Sequence, residues 1–267
     1  MGVIRNKFSR YILKRLIKRL VQIFSLDFYQ KISLRIALIQ GKGWGGKKTI
    51  KEEVNNCLYL LKKNPKVFID IGANKGLYTE YLLNKFPNLE SHLFEPSSLN
   101  DQILRDKFLK KENIFINKIG LSNSNSKSFL YSDNYGSGLS SLSKRRLDHL
   151  NINFDKQEEI NLLRFDEYWK KDQLIDYVKI DVEGHELYVL NGFGDLIYKT
   201  KLIQFEFGGC NIDTRTFFQD FWYFFLEKNF IIYRITPRGF NLIRNYSESD
   251  EYFNGPTNYI AINKSFI

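Results

Sequence analysis

Cysteine is nearly missing from this chain of 267 residues: Cys57 and Cys210 stand far apart, with no CxxC spacing. That argues against a disulfide framework and a structural zinc site, and it suits a reducing compartment. Also missing is any uninterrupted apolar run of the roughly twenty residues that a bilayer-spanning helix demands. The N-terminus instead interleaves charges with apolar residues, which speaks against both a membrane span and a cleaved secretory signal. Acids are almost absent from one end. Residues 1–48 hold twelve Lys and Arg against a single acid, Asp27, a local charge of +11; across 49–267 the other 28 basic side chains meet 29 acids, leaving −1. The net charge of +10 therefore belongs to an N-terminal segment, and a nucleic-acid reading that leans on overall basicity is weakened. What is plentiful is apolar material, 43% hydrophobic and 16% aromatic, enough to build the core of one large domain or two small ones and too much for disorder throughout.

Between Phe8 and Phe24, apolar residues recur at helical spacing with Lys and Arg mostly elsewhere around the turn, the pattern of a basic amphipathic helix. A second, weaker helix is expected over 28–39. The cluster Gly41, Gly43, Gly45, Gly46 then reads as a flexible joint. This divides the chain into a basic helical segment, 1–48, and a main domain, 49–267. In the main domain short apolar strands alternate with longer helical stretches, the signature of an α/β fold on a mostly parallel sheet. Strands are expected at 67–71, 91–95, 114–119, 177–181, 202–206, 230–235 and 258–263, seven in all. Helices are expected at 50–62, 76–86, 98–110, 185–192 and 214–228. The stretch 121–163 is too long for a simple connection and reads as an insertion over the sheet edge, containing a hairpin. Phe217, Phe218, Phe221, Trp222, Phe224 and Phe225 lack interleaved Lys or Arg and read as core packing instead of a base-stacking platform.

The first strand runs into Asp70-Ile71-Gly72-Ala73-Asn74-Lys75-Gly76. Small residues at the C-terminal edge of a parallel sheet let backbone approach a ligand closely. The spacing is not GxGxxG, so a pyrophosphate cradle is disfavoured. An acid opening the loop suits a ligand carrying positive charge, such as the amino group of S-adenosylmethionine, and Glu95 at the tip of the second strand could accept two ribose hydroxyls. Each acid alone is equally consistent with helix capping or a solvated position.

Five segments together carry a family resemblance: FIDIGANKGLYT (68–79), LFEPSS (93–98), GLSSL (138–142), RFDEY (164–168) and VKIDVEGHELYVLNGF (178–193). In this order, across 65–210, the chain resembles the FkbM-type branch of the class I S-adenosylmethionine-dependent methyltransferases. The resemblance implies a Rossmann-like, seven-stranded, mostly parallel sheet ending in an antiparallel hairpin. It also implies O-methylation of a sugar or natural-product hydroxyl. Residue by residue, it implies that Asp70, Gly72, Ala73, Asn74 and Gly76 line the methionine end of the cofactor with Tyr78 nearby. Glu95 would hold the ribose beside Pro96 and Ser97, and residues 119–122 (Ile-Gly-Leu-Ser), Gly120 among them, would approach the adenine. The family often carries a second proline two positions after Pro96, where this chain has Ser98.

Methyl transfer needs an aligned acceptor oxygen and a home for its proton. Asp181, Glu183, His185 and Glu186 cluster at the end of the fourth strand. Asp181 is the first choice, aimed at the site by the strand end. His185 is a candidate base if its imidazole is neutral near pH 7, and Glu183 is either a third catalytic group or the partner of a basic residue or helix terminus. Glu206, ending the next strand, could join Asp181 in holding a divalent cation. Gly138, Ser140 and Ser141 shape either a substrate loop or only a turn. The expectation is a cytoplasmic O-methyltransferase acting on a sugar or glycan hydroxyl, held at the inner face of an anionic membrane by residues 1–48. The rivals are a natural-product or RNA methyltransferase and a non-catalytic scaffold of the same fold.

Overall fold

The strands at 67–71, 175–180 and 257–263 are buried at every position, so the sheet they form needs cover on both faces. The computed structural model describes residues 24–267 together with Lys14, Ile17 and Val21; the amphipathic helix expected over 8–24 lies almost wholly outside the described residues. Two compact units divide between Gln40 and Gly41. In the first, helix α1 (Leu26–Ile39) starts where Ser25 Oγ accepts the Phe28 N–H at 3.3 Å, an N-cap. No helix among the described residues is long and apolar enough to cross a membrane.

The second unit begins with the glycine cluster, of which Gly41, Gly43 and Gly45 are packed against it instead of forming a free joint. A Cβ on Gly41 would stand 2.0 Å from the Ile235 carbonyl oxygen, at φ +84°, so only glycine fits there. There follow α2 (Ile50–Leu61), β1 (Val67–Ile71), α3 (Leu77–Lys85), β2 (Glu90–Phe94), α4 (Ser98–Phe108) and β3 (Ile114–Asn117). The insertion supplies β4 (Gly120–Leu121), β5 (Ser126–Ser132) and β6 (Lys156–Leu163). Then come α5 (Phe165–Tyr168), β7 (Ile175–Ile180), α6 (Glu186–Asn191), β8 (Thr200–Phe207), α7 (Cys210–Thr214), α8 (Phe218–Glu227), β9 (Phe230–Thr236), β10 (Gly239–Ile243) and β11 (Thr257–Asn263).

The main sheet has the order β10-β9-β11-β8-β7-β1-β2-β3. From β3 to β8 the strands are parallel, and β11 enters antiparallel between β8 and β9. All seven expected strands are present. The eighth, β10, forms a hairpin with β9; its residues Gly-Phe-Asn-Leu-Ile alternate too briefly to stand out in the sequence. The insertion is a separate three-stranded sheet, β4-β6-β5, with β5 and β6 antiparallel.

Period-two alternation sorts the strand residues onto two faces. Phe68, Leu93, Tyr177, Leu202 and Ile260 pack against Val54 and Cys57 of α2, Leu82 of α3 and Leu104 of α4. Ile69, Val178, Ile203 and Phe205 face the other way, onto Phe165, Val189, Phe221 and Phe225. The expected helix over 214–228 is two pieces, α7 and α8. Glu251 explains the new start: its carboxylate accepts the Phe218 and Gln219 N–H groups at 2.8 and 2.9 Å, occupying the open donors of α8. The aromatic stretch is core, as its composition suggests, with the Phe221 ring stacked on Phe205 at 5.1 Å. Each such fully buried phenylalanine contributes about 1.5–3 kcal/mol.

Candidate functional site

The parallel strands deliver their C-terminal loops to one edge, and hydrogen bonds tie these loops together. After β1, the Gly72 and Ala73 N–H groups both donate to the Phe94 carbonyl, at 2.9 and 3.1 Å. After β7, the Asp181 N–H donates to the Ile71 carbonyl at 3.0 Å. The two loops approach so closely that a Cβ on Gly72 would lie 1.9 Å from the Asp181 carbonyl oxygen, at φ +79°. Glu95 joins the third loop: its Oε2 accepts the Asn74 N–H at 2.8 Å and its Oε1 the Ser97 N–H at 3.0 Å. Burial pushes the Glu95 carboxyl up to about 7, against the pull of these donors. Each carboxylate oxygen keeps a lone pair for a further donor.

Two cavities open on this edge. The first, of about 600 Å³, is lined by Glu95, Pro96, Gly120 and His185 and by an aliphatic wall of Ile119, Leu121, Leu130, Ile160 and Leu162. Three of those wall residues come from β5 and β6, so the insertion closes the cavity. Its shape and chemistry suit a flat ring against the aliphatic wall and a diol on Glu95. The second, of about 890 Å³, is lined by Lys47, Glu53, Tyr78, Lys179, Glu206 and Asn258, among others. Gly72, Asn74, Gly138, Asp181 and Glu183 line both.

Two buried cations, Lys179 and Arg145, pair with carboxyls at this edge. Buried Lys179 lies with its Nζ 3.2 Å from Asp181 and 3.7 Å from Asp70. Burial disfavours its charge, yet those carboxylates outweigh burial and hold its pKa above the ordinary lysine value. Arg145 of the insertion donates to Glu183 Oε2 at 2.8 Å and to Asp213 Oδ2 at 3.3 Å, while Ser141 Oγ donates to the Glu183 carbonyl at 2.7 Å. Burial and the neighbouring Asp181 push Glu183 up to about 8, with Arg145 opposing. Glu206 is 8% exposed; burial first, then the acids around it, raise its pKa. Glu186 caps the turn after β7, accepting the Val182 and Gly184 N–H groups at 3.0 and 3.1 Å, and burial raises it to about 7.

Glu183, Glu206 and Cys210 offer ligand atoms within 4.8 Å of one another. For a hard divalent ion the set fits poorly. Arg145 already bonds Glu183, Lys179 already pairs with Asp181, and burial keeps the Cys210 thiol protonated.

The expected residues are distributed unevenly. Glu95, Pro96 and Gly120 line the first cavity, Ala73 and Tyr78 the second, and Gly72 and Asn74 both. Asp70, Gly76 and Ser97 line neither. Strand alternation turns Asp70 toward α3, where its fully buried carboxylate accepts from Thr79 Oγ1 at 2.6 Å and faces Lys179; burial raises its pKa against the pull of Lys179. A Cβ on Gly76 would meet Leu104 and Phe108 of α4. Ser97 acts through its backbone. Of the catalytic candidates, Asp181 has the most accessible side chain, 37% exposed against 18% for Glu183. His185 lines the first cavity and not the second. Its Nε2 lies 2.9 Å from Ser122 Oγ, its ring stacks on Tyr188, and burial lowers its pKa to about 4, so it is neutral at pH 7. Sequence reasoning missed Arg145, Lys179, Glu53, Asn258 and the part of the aliphatic wall that β5 and β6 supply. Only Lys179 had a signal, the lone cation of a strand buried at every position.

Residues 70–232 match the family model described as methyltransferase FkbM domain. No curated protein matches the chain. Solved structures align over most of their length with weak similarity. The plantazolicin methyltransferase BpumL, in complex with SAH, has 12% identity and a TM-score of 0.46, covering 98% of this chain and 100% of that one. The O-methyltransferase from Bacillus cereus, also with SAH, has 11% identity and a TM-score of 0.43, covering 95% and 97%. Precorrin-6y C5,15-methyltransferase from Geobacter metallireducens has 11% identity and a TM-score of 0.42, covering 84% and 91%.

Proposed function

The chain belongs to the methyltransferase FkbM family and is an S-adenosylmethionine-dependent methyltransferase, and we propose that it methylates a hydroxyl oxygen of a sugar or glycan. The observation that carries this reading is the pair of cavities meeting at Gly72, Asn74, Gly138, Asp181 and Glu183. When bound, S-adenosylmethionine supplies an electrophilic methyl group on a sulfonium. Glu95 accepts the ribose hydroxyls, the Gly120–Leu121 edge and the aliphatic wall receive the adenine, and the Gly72–Asn74 backbone borders the methionine end. Glu53, Glu206 and Asn258 of the second cavity present acceptors and an amide to a polyhydroxylated ligand. Asp181, at the shared rim, would orient the attacking hydroxyl and take its proton as the oxygen–methyl bond forms and the sulfonium–methyl bond breaks, with S-adenosylhomocysteine the leaving group. Lys179 holds that carboxylate in place. His185, turned to the first cavity, orients Ser122 and β4.

The test is transfer of a labelled methyl group from S-adenosylmethionine to a panel of nucleotide sugars and free or lipid-linked glycans, with RNA as the contrast. Methyl ethers on carbohydrate, lost in Asp181→Asn, support the reading; label on RNA alone refutes it. We further propose that the basic segment 1–48, at +11, holds the enzyme on anionic membranes, each basic residue adding about 1 kcal/mol near such a surface. Removing residues 1–40 is expected to lower sedimentation with anionic liposomes while cofactor binding persists; unchanged sedimentation contradicts it.

A further inference from the structure

Outside both cavities, an open surface cleft lies where residues 144–149 of the insertion meet α7 and Arg215, its basic side chains exposed. Its lining is dominated by bases: Lys144, Arg146, His149 and Arg215, against Asp148 and Asp213. The two acids do not balance it, because Asp213 already accepts from Arg145. The side chains of Lys144, Arg146 and Arg215 have no ion-pair or hydrogen-bond partner among the described residues. Like charges gathered in one concavity repel unless an anion joins them, and three of them exceed what one carboxylate would neutralise. Two guanidinium groups with a lysine match the several oxygens of a phosphoryl group.

The cleft is joined to the catalytic edge by one residue. Arg145 turns inward, its side chain 9% exposed, to bond Glu183 at 2.8 Å, while its sequence neighbours Lys144 and Arg146 line the cleft. A single stretch of chain thus bonds to the shared rim through Arg145 and lines the basic cleft through Lys144 and Arg146. We infer that the cleft binds the phosphate or diphosphate through which the acceptor is carried. The inference rests on the reading of the second cavity as the acceptor site.

Inorganic pyrophosphate, titrated into the full chain with S-adenosylhomocysteine present, tests it. Saturable binding is expected, weakening with added salt and falling about tenfold for each of Arg146→Ala and Arg215→Ala, while S-adenosylhomocysteine binds these variants as it binds the parent. That second titration shows that the variants are folded. Pyrophosphate binding that is absent, or equally tight in a Lys144→Ala, Arg146→Ala, Arg215→Ala triple variant, overturns the inference alone. Failure of the parent to bind S-adenosylhomocysteine overturns the methyltransferase site beneath it. Two arms distinguish the carrier. Uridine diphosphate competing with pyrophosphate assigns a soluble nucleotide. Capture by phosphatidic acid vesicles that survives removal of residues 1–40, yet is lost in the triple variant, assigns a lipid-borne phosphate. Either arm supports a phosphoryl site.

Discussion

The two cavities at the sheet edge share five residues and differ in almost everything else. Apart from the shared rim, the first is walled by aliphatic side chains with one carboxylate, Glu95, whereas the second sets Lys47, Lys75, Lys179, Glu53 and Glu206 among Ile50, Leu77, Tyr78 and Pro256. On the proposed reading, the slot with one bidentate acceptor takes the nucleoside, and the cavity that mixes charged and apolar walls takes the acceptor. Chemistry belongs where they meet, and the division of labour there can be broken from either side.

The largest effect should come from the wall between them. Gly72→Ala places a Cβ against the Asp181 carbonyl in a left-handed backbone, at a cost of about 3 kcal/mol. A lower thermal midpoint, with loss of ligand binding in both cavities, is the expected result. Asp181→Asn keeps the shape of the rim and removes the proton acceptor. Turnover should fall about 100-fold or more while calorimetry finds cofactor affinity little changed.

Glu95→Gln acts on one side only, weakening the cofactor about tenfold. The parent adds a pH signature. On the proposed reading ribose hydroxyls donate to the carboxylate, and burial puts that group's pKa at about 7 in the free protein, so affinity should fall as pH drops below about 7 and the glutamine variant should show no such trend. Smaller still is the effect of Glu186. Its folded pKa, about 7, is raised above the ordinary carboxyl value by burial. The stability linked to its proton is therefore fully present below about pH 4.5 and lost as pH rises through 7. Between pH 5.5 and 8 the thermal midpoint of the parent should decline, and Glu186→Gln, which keeps the acceptor for Val182 and Gly184, should flatten that decline.

The same contrast shows what the sequence could tell. The first cavity's polar half was legible because Gly72, Asn74, Glu95 and Pro96 sit in short, ordered loops next to strong strands, where position along the chain nearly determines position in space. Strands β1, β2, β7 and β8 were legible because runs such as VFIDI and LIQFE leave no other elements to form. Arg145 reaches Glu183 across 38 residues and Asp213 across 68, and no local pattern encodes that meeting. Leu130, Ile160 and Leu162 looked like any small hydrophobic cluster until the insertion folded over the edge. Asp70 shows where proximity along the chain stops being enough: it precedes the loop, and strand alternation turns its carboxylate toward Thr79 and Lys179, lining neither cavity.

The central claim is that donor and acceptor occupy separate cavities joined at Gly72 and Asp181. A crystal structure with S-adenosylhomocysteine tests it most directly. The account predicts the ribose hydroxyls on Glu95, the adenine against Leu130 and Leu162, and the sulfur at the shared rim, facing the second cavity. A nucleoside seated among Glu53, Glu206 and Asn258 would contradict it.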